Sequence, residues 1–346
     1  LRTVWINSIF FPIAEISTSI CIGLLVWYGG LNNLNGLNIS LGTLFLFISL
    51  SGLLFRPLRQ IADRFNTLQM GMVSTERIFK ILEDDQEITN NGVTESISFE
   101  GLIEFRNVNF SYLKDQPVLN DISFKINSGE TLAIVGPTGS GKTTITNLIT
   151  KFYEIDSGEI FIDNRNINVF KLENLRDKIG VILQDVFLFA DSIYNNVTLF
   201  NNNISIENVI NAAKRLDIHK FIQSLPGGYE FHVSERGSTL SSGQKQLIAF
   251  LRVMVNKPDI LILDEATSSI DSISEDLIKR ATEMITVGKT SIIIAHRLST
   301  VESADKIIYM ENGRILEYGT HKELLNIENG KFKKLYKEQF LEGELV

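Results

Sequence analysis

The stretch ETLAIVGPTGSGKTTITNLITKF, residues 130–152, constrains this chain more than any other. ETLAIVG reads as a short buried strand, and KTTITNLITKF has the pattern of a helix. Between them GPTGSGKTT, Gly136 to Thr144, fits G-x-x-x-x-G-K-[ST], and holding a phosphate needs these residue types at this spacing. Gly136, Gly139 and Gly141 let the backbone wrap an oxyanion, with Thr138, Ser140 and Thr144 completing the loop. Lys142 is placed to reach the β and γ oxygens of a nucleotide, and Thr143 to offer a hydroxyl to Mg²⁺. The motif alone occurs by chance; set between a strand and a helix, it predicts a P-loop NTPase of the α/β class.

PDILILDEATSSID brings a second strand to an acidic end. Ile260–Leu263 is apolar, so Asp264 is expected at the carboxyl edge of the sheet, where nucleotide sites form in such folds. Asp264 suits the Mg²⁺ shell. Glu265 beside it suits a general base toward water attacking a γ-phosphate, a role worth about 10²–10⁴ in rate. On their own these residues also read as a strand ending in solvated acids; the phosphate loop upstream decides for the catalytic reading. TSIIIAH ends a third strand at His296, in the same strand-end layer and suited to sensing the γ-phosphate. VILQD puts Gln184 after a further strand, where its amide can reach Mg²⁺ or the attacking water.

LSSGQ, Leu240 to Gln244, opens the helical SGQKQLIAFLRVMV. A helix start built from Ser241, Ser242 and Gly243 leaves its first N–H groups pointing outward, a ready anion site about a hundred residues from the phosphate loop. Ser242 is expected to serve as the N-cap.

The first part of the chain has another character. VWINSIFFPIAEISTSICIGLLVWY, residues 4–28, carries only Glu15 as a charge, and ISLGTLFLFISLSGLLF, residues 39–55, carries none. Each approaches the length needed to cross about 30 Å of hydrocarbon. Arg2 precedes the first segment, Arg56, Arg59 and Arg64 follow the second, and residues 29–38 hold neither Lys nor Arg. Both outer ends are therefore expected in the cytoplasm, with a pair of buried helices in a soluble core as the alternative. Glu15 within hydrocarbon costs about 3 kcal/mol, so it must face protein, a cavity or water, as a substrate contact or a hydrogen-bonded helix contact. Beyond Phe55, Leu58, Ile61, Phe65, Leu68, Met72 and Ile78 keep helical spacing, an amphipathic extension to about residue 82. Residues 85–100 lose that periodicity and read as a linker. The formal net charge of −8 argues against nucleic-acid binding, and the single Cys21 allows no internal disulfide. The chain begins at a leucine inside an apolar pattern and reads as the carboxyl-terminal part of a longer protein.

Taken in order, GPTGSGKT, Gln184, LSSGQ, ILILDE, SSID and His296 resemble the ATPase domain of ABC transporters, over essentially all of 101–340. The segment before it resembles the last two membrane helices of an exporter-type half-transporter. The resemblance implies a mixed β core, an antiparallel β subdomain and a helical subdomain over 190–255, together forming 101–346. An all-α transmembrane part at 1–84 and the 85–100 linker would precede them. It implies ATP and Mg²⁺ as ligands, with Thr143, Gln184 and Asp264 at the metal and Glu265, His296 and Gln184 as the catalytic set. Tyr112 would stack on adenine, and Asp271 would touch the opposing subunit. HVSERG would sense the membrane domain, although Ser234 stands where the family has glycine. Leu240–Gln244 would act on the partner's γ-phosphate. Ser242 replaces the usual glycine, and KQLIAFLR departs from an arginine-rich continuation.

The implied function is ATP hydrolysis in a head-to-tail nucleotide-sandwich dimer, coupled to export of a hydrophobic or amphipathic substrate such as a lipid, drug or peptide. The partner would be a second half-transporter subunit, with intact motifs favouring a homodimer. The implied location is a bacterial inner membrane with the ATPase part in the cytoplasm, the many Asn and Ile residues pointing to an AT-rich genome. Two alternatives stand: a membrane-tethered ATPase with a regulatory or mechanical role and no solute flux, and a peptidase-linked or toxin exporter with a further amino-terminal domain.

Overall fold

The computed structural model describes residues 2–34, 40–83, 92–94, 98–264, 272–295 and 298–341, which divide into two compact units, Leu1–Glu87 and Ile88–Val346. The first unit is a pair of long helices, α1 (Arg2–Leu34) and α2 (Leu41–Leu82). Ser40 starts α2 as its N-cap, its hydroxyl accepting the Thr43 N–H at 3.2 Å. The helices run antiparallel: Gly29 is buried against Leu44, and Cys21 Sγ lies 4.0 Å from Ser51 Oγ. A Cβ at residue 29 would collide with Leu44, so this crossing needs glycine. Many other described apolar side chains face outward: Ile16, Ile20, Leu24 and Trp27 on α1, and Phe45, Leu46, Leu53 and Leu54 on α2, are all exposed. Among the described residues, no helix is long and apolar enough to cross a membrane.

The second unit holds two sheets. β1 (Ile103–Leu113) and β2 (Gln116–Ile126) form a hairpin, joined by β4 (Ser157–Ile162) and β5 (Arg165–Asn166) in an antiparallel sheet of order β2-β1-β4-β5. The apolar alternation of β1 places Ile103 and Phe105 inward. A register shift at Asn107, φ 48°, then resets the pleat so that Val108 and Phe110 also face the core. β3 (Thr131–Val135) lies at the heart of the second sheet. It combines with β6 (Ile179–Ile182), β7 (Ile260–Asp264), β8 (Thr290–Ile294), β9 (Lys306–Glu311) and β10 (Arg314–Gly319) in the order β10-β9-β3-β8-β7-β6. All neighbours are parallel except β9 and β10. Leu132–Val135, Ile260–Leu263 and Thr290–Ile294 are buried without alternation, as expected of parallel strands covered on both faces.

α3 (Lys142–Ile149) follows β3, and α4 (Leu172–Asp177) precedes β6. Between β6 and β7 the chain inserts α5 (Ile193–Thr198), α6 (Ile206–Arg215), α7 (His219–Ser224) and α8 (Ser242–Asn256). This insert gathers Val197, Val209, Ile222, Leu247 and Phe250 into one apolar cluster. α9 (Ser272–Thr286) and α10 (Leu298–Ser303) flank β8 in sequence. The expected α/β P-loop NTPase fold with a mixed sheet is the fold observed.

The segment entering β1 is tied down at several points. Asp163, in the turn after β4 at φ 51°, accepts three successive backbone N–H groups, from Glu100 at 2.8 Å, Gly101 at 3.0 Å and Leu102 at 2.9 Å. Asp259 accepts the Phe99 N–H at 2.8 Å, and Thr94 N donates to Val169 O at 3.0 Å. The described residues between 92 and 100 are thus bonded to the second unit.

Candidate active site

Parallel register carries several strand ends to one edge of the second sheet. Ile134 pairs with Ile294, Ile294 with Asp264, and Leu263 with Ile182. The phosphate loop therefore begins one residue beyond Val135 at the same level where β7 ends in Asp264 and where the chain leaves β6 toward Gln184. Gln184 is exposed at that edge and Asp264 is half-buried. Glu265, Asp271 and His296 lie outside the described residues.

The loop itself is shaped by backbone that only glycine tolerates. Gly136 adopts φ 145°, and a Cβ there would collide with the Met310 carbonyl oxygen; Gly141, at φ 100°, caps α3 without a side chain. From behind, the β9–β10 turn supports it: Gly313 N donates to Ser140 O at 3.2 Å, and Asn120 N to Gly313 O at 2.8 Å. Lys142 is buried and curls over the loop, its Nζ donating to Gly136 O at 2.8 Å and Pro137 O at 2.9 Å. Burial pushes the Lys142 ammonium pKa down, against the attraction of Asp264. Burial likewise pushes the Asp264 carboxyl up, against the attraction of Lys142. The two charges are neighbours that each need a further counter-charge or solvent.

Several donors of this loop lie outside the helix ladder. The first intrahelical bond of α3 runs from Ile145 N to Gly141 O at 3.2 Å, so the N–H groups before it stay outside the helix ladder. Ser140 Oγ is buried with no hydrogen-bond partner. Thr143 is exposed at the mouth, as are Thr138 and Gly139. A buried orphan hydroxyl, an ammonium and a helix N-terminus at one place suit a polyphosphate.

An aromatic wall stands beside the loop. Tyr112, near the end of β1, is 43% exposed, and its ring meets Phe110 at 4.8 Å and Tyr153 at 4.9 Å, both edge-on. Its hydroxyl donates to Thr144 Oγ1 at 3.2 Å and accepts from Asn147 Nδ2 at 3.2 Å. Pattern reading singled out Tyr112 but missed Tyr153, Asn147 and the Met310–Gly313 support. These contacts join residues 32 and 35 positions apart, and no local spacing announces them.

The helix start at LSSGQ requires one correction. The N-cap of α8 is Ser241, not Ser242. Ser241 Oγ accepts the Gln244 N–H at 3.2 Å, and Gln244 Oε1 accepts the Ser241 N–H at 3.0 Å, a capping box. Ser242 is the first helical residue and is exposed; Gly243 behind it is buried, and Leu240 is buried before it. The outward N–H groups of the first turn survive this arrangement, because the capping box uses only those of Ser241 and Gln244. HVSERG forms a short 3₁₀ turn, Glu235–Gly237, entered through an exposed Ser234.

Fold and loop together define a P-loop NTPase. Residues 119–268 match the family model described as ABC transporter. It is 42% identical over 314 residues to an uncharacterized ABC transporter ATP-binding protein, YfiC, of Bacillus subtilis (strain 168), covering 90% of this chain and 52% of that one. It is 37% identical over 346 residues to an ATP-dependent lipid A-core flippase of Syntrophus aciditrophicus (strain SB), covering all of this chain and 57% of the other. A solved bacterial Atm1-family ABC exporter with ATP bound superposes with a TM-score of 0.70 at 34% identity, over 87% of this chain and 53% of that one. The chain spans about half the length of the curated relatives it matches, 58% in two of them.

Proposed function

We propose that the chain is the carboxyl-terminal part of an exporter-type ABC half-transporter and that its second unit binds and hydrolyses ATP to drive export. The observation that carries this reading is the convergence at one sheet edge of the Lys142 ammonium, the orphan Ser140 hydroxyl, the free N–H groups of α3, Asp264 and Gln184. Gly136, Thr138, Gly139, Gly141 and Thr144 wrap the phosphates, and Tyr112 stacks on the base. Thr143, Asp264 and Gln184 would hold Mg²⁺, which when bound neutralises charge on the β and γ oxygens. Glu265 takes the proton of the attacking water, His296 holds the γ-phosphate, and Asp271 contacts the opposing subunit. Leu240–Gln244 presents its helix start to the nucleotide of a second copy, so the site is complete only in a head-to-tail dimer. Catalysis of this kind is positioning and charge stabilisation more than covalent chemistry.

Residues 1–84 are the membrane part, 85–100 the link and 101–346 the ATPase domain in this reading. The outward-facing Ile, Leu, Phe and Trp side chains of α1 and α2 support lipid contact, because a water-facing helix pair would not leave so many exposed. Relatives named as lipid A-core flippases in Syntrophus aciditrophicus and Haemophilus influenzae support an amphipathic lipid as the substrate class. The complete protein, reconstituted in lipid vesicles with a labelled amphipathic lipid, is expected to move the label only when ATP and Mg²⁺ are present. ATPase activity with no flux of lipid, drug or peptide would replace export with a regulatory or mechanical role.

A further inference from the structure

Asn147 lies one turn beyond Lys142 on α3 and carries nothing that the phosphate-loop motif asks for. Its Nδ2 nonetheless donates to the Tyr112 hydroxyl at 3.2 Å, and that hydroxyl reaches Thr144 Oγ1 at 3.2 Å. The direction of the pair follows from chemistry. An amide NH₂ only donates, so the Tyr112 oxygen accepts from Asn147 and its own proton goes to Thr144. Thr144 Oγ1 is thereby engaged as an acceptor, and its hydroxyl proton has no acceptor among the described residues although the side chain is buried. The neighbouring Ser140 hydroxyl is buried and unpartnered as well. The Tyr112 ring is held in place by Phe110 at 86° and Tyr153 at 85°, so the hydroxyl cannot swing away cheaply.

We propose that Asn147 is a positioning residue for nucleotide binding. It sets a one-way chain, Asn147 to Tyr112 to Thr144, that leaves the Thr144 hydroxyl as a donor to a phosphate oxygen. Hydrogen bonds aligned in one direction polarise one another. The aromatic wall and the phosphate loop are thus one unit, and Asn147 is its anchor. The inference rests on the reading of this loop and Tyr112 as the ATP site. Because the chain ends on phosphate, its loss weakens ATP and GTP alike and spares the chemical step.

The complete protein in lipid nanodiscs tests this through Kd and KM for ATP and for GTP, with kcat, in Asn147→Leu, Tyr112→Phe and the double variant. Each single change is expected to raise Kd and KM about three- to tenfold for both nucleotides, the worth of one neutral hydrogen bond, with kcat within about twofold. The double variant should be no weaker than the weaker single variant, since both break one chain. Asn147→Asp gives a second reading should leucine disturb folding: a carboxylate accepts the Tyr112 proton, turns the chain away from Thr144, and should weaken binding at least as much. Additive losses, a loss confined to ATP, or unchanged Kd would overturn the role of Asn147. Wild-type protein that fails to bind ATP, or a Lys142→Met variant that still binds it, would instead overturn the site reading on which the inference rests.

Discussion

Replacing Lys142 by methionine separates the function of the loop from its stability. The Lys142 Nζ makes two charge-assisted bonds, to Gly136 O at 2.8 Å and Pro137 O at 2.9 Å. Each is worth about 1.5–3 kcal/mol, so about 3–6 kcal/mol of attraction is removed. Against this stands the cost of holding an ammonium in a buried place, several kcal/mol, whose sign is visible in the lowered pKa of Lys142. Methionine keeps most of the stem volume, and the Pro137 residue left behind is exposed, where water can serve its carbonyl. The two effects nearly cancel, leaving folding stability within about 1 kcal/mol and Tm within about 4 °C. ATP, by contrast, loses the buried Lys142 cation placed to pair with its phosphates, a loss of about 2–5 kcal/mol or roughly 30- to several-thousand-fold in Kd. Thermal unfolding without nucleotide, paired with equilibrium ATP binding, reads both numbers. A variant that binds ATP within about fivefold of wild type, or one that no longer folds, would refute this division of labour.

Other perturbations follow from the same geometry. Gly136→Ala drives a Cβ into the Met310 carbonyl oxygen at φ 145°, and because that neighbour is backbone, both ATP binding and Tm should fall. Asp163→Ala orphans three N–H groups of residues 100–102 and should cost about 2–4 kcal/mol in denaturant titration, with nucleotide affinity per folded molecule unchanged. Ser241→Ala should cost about 1 kcal/mol as loss of a cap, whereas Ser242→Gly, outside the cap, should cost about 0.5 kcal/mol and leave ATPase within about twofold; a strong effect at Ser242 would mean its hydroxyl touches the nucleotide. Burial raises the Asp264 pKa above that of a free carboxyl, so its carboxylate is protonated at a higher pH than a free one. The Mg²⁺ concentration giving half-maximal ATPase should therefore rise as pH falls toward that raised value, and Asp264→Asn should remove the dependence.

Much of the site was legible because phosphate binding needs specific residues at fixed spacing. The phosphate loop was readable from nine residues, Gly136–Thr144, and the strand ends at Asp264 and Gln184 from apolar runs that stop abruptly. Sheet order was not readable, because β3 pairs with β8 and β9, strands more than a hundred residues later, through crossovers that local pattern does not encode. The cap of α8 illustrates a signal present but misjudged. Ser241 and Ser242 are equally good cap residues, but only Ser241 stands three residues before a glutamine, the spacing of a capping box. Tyr112, by contrast, finds Asn147 and Tyr153 through tertiary packing alone, and Asp163 finds the 100–102 backbone in the same way.

The most direct test of the central claim is made on Glu265→Gln in the complete protein, reconstituted in lipid, with ATP binding and steady-state hydrolysis measured side by side. If the chain is an ATP-hydrolysing exporter subunit whose general base is Glu265, the variant binds ATP with wild-type affinity while hydrolysis drops by about 10²-fold or more. Vigorous turnover in that variant, or loss of ATP binding along with turnover, would contradict it.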